Sequence, residues 1–104
     1  MSKVMEDFGS SGFVVNCETR EEAIIFINIC YIYDITWGSW EFDDDEIGTH
    51  YDDYYEYTCY RGEYGDINYW SVDDYIEWDY KVITFKEFMK IYDGINLIKF
   101  PNIY

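Results

Sequence analysis

Basic residues are scarce in this chain of 104: seven Lys and Arg stand against 22 Asp and Glu, a formal charge of −15 at pH 7. A field of that sign repels nucleic acid and anionic membrane and attracts basic surfaces. Direct nucleic-acid or membrane binding is therefore not expected, and a basic protein surface is. Histidine occurs once, as His50. Nucleophile–base catalysis needs a Ser or Cys within its reach and a third, orienting group, and nothing in the spacing fixes such a set. His50 reads as a solvated loop residue. The three cysteines, Cys17, Cys30 and Cys59, are odd in number and widely spaced. They form neither a disulfide framework nor a zinc motif, which points to a reducing cytoplasm. No apolar run approaches the roughly 20 residues of a membrane span. Met1 to Asp7 mixes charges without an apolar core, so no secretory signal is read there. Gly62-Glu63-Tyr64-Gly65 lacks the lysine and the helix start of a phosphate loop. No catalytic residue, metal ligand or cofactor is assigned, and the chain is not read as an enzyme.

What is present is concentrated. Asp34 to Asp79 holds 15 acids and a single base, Arg61, and accounts for −14 of the −15. All four tryptophans, Trp37, Trp40, Trp70 and Trp78, lie within it. Disordered acidic tails lack such aromatics, so this stretch is expected to fold with its carboxylates displayed. An apolar fraction of 49% supports one real core.

Along the chain, residues 1–12 end in Gly9-Ser10-Ser11-Gly12 and read as a flexible N-terminus. Residues 13–104 read as a single domain. Phe13 to Cys17 is a short strand. Thr19-Arg20-Glu21-Glu22 is a capping box that starts a helix running to about Tyr33. That helix is apolar nearly all round, with Ile25 and Ile32 on the expected outer stripe, so a second copy, the C-terminal tail or a partner should cover it. Ile35 to Phe42 reads as a strand or extended arm and Asp43 to Asp53 as an acidic loop. Tyr54 to Tyr60 and Ile67 to Val72 read as a hairpin about turn residues 61–66. Tyr75 to Val82 alternates, Ile76, Trp78, Tyr80 and Val82 on the core face and Tyr75, Glu77, Asp79 and Lys81 on the wet one. A second capping box, Thr84 to Glu87, with Ile83 and Phe88 as a hydrophobic staple, starts the last helix, which Asp93-Gly94 ends. The order β-α-β-β-β-β-α predicts an α+β domain, an antiparallel-rich sheet with two helices on one face.

The acidic loop fails as an EF-hand. With Asp43 in the first position, Ile47 and Tyr54 fall where a carboxylate and a bidentate glutamate are required. The informative pattern is acid interleaved with aromatic, as in Trp40-Glu41-Phe42-Asp43, the stretch from Tyr51 to Tyr57, and Asp73 to Asp79. Aromatics anchor protein interfaces, and surrounding charge steers the partner. The plain alternative is a solvated acidic surface over an aromatic core. The expected partner-binding acids are Asp43, Asp44, Asp45, Glu46, Asp52, Asp53, Asp73 and Asp74, with Trp40, Tyr54 and Tyr75 as anchors.

Several stretches together resemble small accessory proteins of phages and prophages of low-GC Gram-positive bacteria. They are Phe13 to Cys17 with Thr19, Glu21, Glu22 and Ala23; Trp37; Thr58-Cys59-Tyr60; Ile67 with Tyr69; and Tyr80 to Phe88. The resemblance implies a counter-defence gene, in the manner of anti-CRISPR proteins and anti-restriction DNA mimics, acting in the host cytoplasm. The leading expectation built on it is that the carboxylates occupy a basic nucleic-acid channel of a Cas effector or another defence nuclease, stoichiometrically and without catalysis. The group supplies no catalytic residues. Two other readings stand beside it: an oligomerising regulatory or structural module, dimeric through the first helix or the tail, and a sponge for a small defence signal or a metal.

Overall fold

The computed structural model describes residues 3–37 and 49–92. It is an α+β domain whose sheet has the strand order β2-β4-β3-β1-β5. In chain order the elements are α1 (Lys3–Gly9), β1 (Val14–Asn16), α2 (Arg20–Ile32), β2 (Thr36–Trp37), α3 (Tyr51–Tyr54), a 3₁₀ turn (Tyr55–Tyr57), β3 (Thr58–Glu63), β4 (Asp66–Ser71), α4 (Val72–Glu77), β5 (Val82–Thr84) and α5 (Phe85–Ile91). The long pairing is the β3–β4 hairpin, antiparallel from Thr58↔Ser71 to Glu63↔Asp66. Its two-residue turn is Tyr64-Gly65, both at positive φ (53° and 87°), the backbone twist a tight hairpin favours. β1 lies antiparallel to β3 and parallel to β5, and β2 joins β4 in parallel.

Strand periodicity separates two apolar layers. Val15, Tyr60 and Ile83 face the main core, which α1, α2 and α5 close with Met5, Phe8, Phe26, Ile27 and Phe88. Phe26 is the hub: its ring meets Phe8 at 5.0 Å and Phe88 at 5.1 Å edge to face, and stacks on Tyr60 at 5.9 Å. Losing such a buried ring costs about 3–5 kcal/mol. On the opposite face Val14 and Cys59 meet Tyr75 of α4, with Val72, Tyr80 and Val82 partly buried around them.

Both capping signals operate. The Glu22 amide donates to the Thr19 hydroxyl, and the Glu22 carboxylate reaches back to the Glu18 amide, one residue beyond the N-cap. At α5 the box is reciprocal, the Glu87 amide donating to the Thr84 hydroxyl and the Thr84 amide to the Glu87 carboxylate.

Four expectations need correction. Residues 3–12, read as flexible, form α1 and a turn, because Met5 and Phe8, three residues apart on one helix face, are both buried in the main core. On α2 the outer residues are Ile24 and Ile32, 37% and 55% exposed, whereas Ile25 turns inward and is buried. Tyr54 to Tyr57 is helical turn, not strand; β3 begins at Thr58, whose hydroxyl donates to the carbonyls of Tyr51 and Tyr55. Tyr75 to Val82 is not one strand. Ser71 caps α4 by accepting from the Asp74 amide, which inverts the expected faces: Tyr75 is fully buried, while Ile76 and Trp78 are 59% and 50% exposed. Helices thus cover both faces of the sheet. The tail from Asp93 and its turn lie outside the described residues.

Candidate functional site

Strand direction gathers the helix N-termini. β1, β4 and β5 all finish at the same end of the sheet, where β3 starts, and α2, α4 and α5 begin there after N-caps Thr19, Ser71 and Thr84. Their first turns carry Glu21 and Glu22, Asp73 and Asp74, and Glu87. Carboxylates are favoured there because a helix N-terminus bears partial positive charge. Glu87 shows the effect: the hydrogen bond from the Thr84 amide, then that from its hydroxyl, holds its carboxyl below the usual range.

The segment before β3 brings Asp52 and Asp53 to the same end. Among the polar contacts that fix it, three tie it to β1 and its flank. The Asn16 side-chain amide donates to the carbonyls of Glu56 (3.0 Å) and Thr58 (2.9 Å), and the Tyr51 hydroxyl donates to the Glu18 carbonyl at 2.8 Å. Thr58 pairs with Ser71, so the α3 and α4 acids flank one strand end. Two arginines of the fold are already engaged by its own groups. Arg20 pairs with Asp52 and lies over the Tyr51 ring; Arg61 pairs with Glu63, lies over the Tyr80 ring and donates to the Ser11 hydroxyl.

Beside α3 is an aromatic cluster. His50 stacks on Tyr69 at 4.5 Å and meets the edge of Trp37 at 4.7 Å, and Tyr54 lies 6.0 Å from Tyr69. His50 is therefore half-buried among rings and not a solvated loop residue. The Tyr69 hydroxyl donates to the Asp53 carboxylate.

Of the expected partner-binding residues, Trp40, Asp43, Asp44, Asp45 and Glu46 lie outside the described residues. Asp52 and Asp53 are exposed but engaged by Arg20 and Tyr69. Asp73 is exposed, and Asp74 is half-buried and accepts from the Ser71 hydroxyl at 2.9 Å. Tyr54 is half-buried. Tyr75 is sealed beneath α4, so it supports the surface from below and offers no face to a partner. The sequence reading missed the surface residues beside it, Trp70 and Trp78, whose rings meet edge to face at 5.7 Å. The signal was Ser71-Val72-Asp73-Asp74, itself a helix start.

The buried thiols are unsuited to nucleophilic work. Burial pushes Cys17 and Cys30 well above the ordinary thiol range, and Cys59 is raised by the same cause. Among the described residues no group of three His, Cys, Asp or Glu is placed to hold a metal ion, and no helix is long and apolar enough to cross a membrane. No protein-family model matches the chain, nor does any curated protein or solved structure.

Proposed function

We propose that this protein acts by binding and not by catalysis, docking on a basic protein surface through its acidic, aromatic-studded end. The concrete form we favour is a counter-defence inhibitor of phage origin. It would occupy the nucleic-acid channel of a host defence nuclease, such as a Cas effector, one inhibitor to one site. The observation that carries this reading is uncompensated charge. Asp34 to Asp79 has one base against 15 acids, and that base, Arg61, is spent on Glu63 within the fold. Carboxylates at neighbouring strand ends present a row of negative charge without a groove or bases, as a duplex does with its phosphates. Charge of this kind steers association and sets its salt dependence, and aromatics supply the lasting contact.

Capture on the immobilised protein from lysate of defence-bearing Gram-positive cells, washed at low and high salt, tests the reading. A basic nuclease should be recovered, released by high salt or excess duplex DNA, and inhibited in proportion to added protein. Neutralising Asp43–Glu46 with Asp52, Asp53, Asp73 and Asp74 should abolish that inhibition. Inhibition that survives those substitutions would overturn charge mimicry.

A second reading has its own observation. Ile24 and Ile32 stand exposed on α2, which favours self-association through that helix. Light scattering across a concentration series decides it, a constant monomer mass counting against it.

A further inference from the structure

We infer that the contact gripping the basic partner is the corner formed by Trp70 of β4 and Trp78 at the end of α4, and that it receives an arginine or lysine side chain of a protein surface. This rests on the reading above and names its anchor. Trp70 and Trp78 are 46% and 50% exposed, and Ile76, two residues before Trp78 in the chain, is 59% exposed. The two indole planes stand at 86° with centroids 5.7 Å apart, giving two walls at a right angle. The Tyr75 ring, fully buried, meets Trp78 edge to face at 5.9 Å and holds that wall from below. A pre-positioned wall loses little freedom on binding.

Charge selects the occupant. Residues 72–79 read Val-Asp-Asp-Tyr-Ile-Glu-Trp-Asp, four acids and no base, and Asp73, Glu77 and Asp79 are exposed. Tryptophan is the best π-face for a cation within about 6 Å of its centroid. Among the described residues the cations lying over rings are Arg20 on Tyr51 and Arg61 on Tyr80, neither on a tryptophan. The same carboxylates repel phosphate groups, so neither nucleic acid nor an anionic bilayer fits this corner. A guanidinium or ammonium group set in an aliphatic-stemmed side chain fits both the rings and the acids.

The test is a nuclear magnetic resonance titration of the full chain with a ten-residue arginine peptide, a lysine counterpart and a glutamate control. The indole N–H signals are assigned by single Trp→Phe substitutions. The Trp70 and Trp78 signals should move and saturate with the basic peptides, the Trp37 signal should stay, and the glutamate peptide should move none. W70L/W78L should bind the arginine peptide about tenfold more weakly, within the range a cation–π contact supplies. D73N/E77Q/D79N should weaken binding and flatten its salt dependence. Basic peptides that bind without moving these two signals would overturn the corner and leave the acidic-docking reading standing. No binding of any basic peptide at low salt would overturn both. If W70L/W78L does not fold, the titration of the parent protein decides alone.

Discussion

Gly62→Ala asks whether α1 is part of the domain, and its sign gives the answer. Gly62 lies in β3 opposite Ile67, and its backbone is not in the left-handed region. Alanine is therefore compatible with its conformation. At an open strand position the change would stabilise by about 0.4–1 kcal/mol, by restricting the unfolded chain. Here an added methyl would stand 2.8 Å from a ring carbon of Phe8 and 2.8 Å from its carbonyl oxygen. The ring has no room to withdraw, being fully buried with Phe13 at 5.9 Å and Phe26 at 5.0 Å. Overpacking of this kind costs about 1–3 kcal/mol, and each kcal/mol lowers Tm by roughly 4–8 °C in a domain of this size. Urea unfolding followed by tryptophan fluorescence measures the difference. In a Phe8→Ala background the ring contact is gone and only the carbonyl contact remains. The Gly62→Ala penalty should then shrink, with a coupling of about 0.5–3 kcal/mol. A Gly62→Ala protein as stable as its parent, or more so, would refute the docking of α1 on β3.

Tyr60 and Tyr75 are both fully buried, yet their hydroxyls differ. Tyr60 donates to the Thr49 carbonyl, while the Tyr75 hydroxyl finds no partner among the described residues. Tyr60→Phe should destabilise by about 1 kcal/mol, and Tyr75→Phe should be neutral or stabilising by a similar amount, read by denaturant titration. Glu87→Gln should lower stability at neutral pH. Because the Glu87 carboxyl is depressed in the fold, its contribution is full above the unfolded pKa and fades as pH falls through the folded one. The gap between parent and variant should therefore close in acid, and a gap that is constant with pH would contradict a contribution from the ionised carboxylate, since glutamine can still accept from the Thr84 amide. Cys17, Cys30 and Cys59 are buried thiols, so alkylation by iodoacetamide should track global unfolding and be negligible in the native protein. Fast labelling of any of them without denaturant would place it at the surface.

Local signals were legible wherever a short stretch satisfies itself. Thr84 and Glu87 exchange hydrogen bonds across one turn, so their box reads directly as a helix start, and α2 begins after Thr19 for the same reason. Asp34 to Asp79 announces its charge by composition alone, and the Tyr64-Gly65 turn lies inside the stretch whose residues favour turns. Tertiary contact decided what such signals leave degenerate. Gly9-Ser10-Ser11-Gly12 looks flexible in isolation, but Met5 and Phe8 before it bury in a core built by distant strands. Ile76, Trp78, Tyr80 and Val82 alternate as a strand would, and short apolar patterns fit either period. Burial of Tyr75 against Val14 and Cys59, distant in sequence, selected the helix and turned Ile76 and Trp78 to solvent. The sequence by itself determined how much negative charge this protein carries and where the capped helices α2 and α5 start, because those depend on composition and on neighbours within one turn. Which aromatics face outward was settled only by the fold, because burial depends on what the rest of the chain brings to the other side.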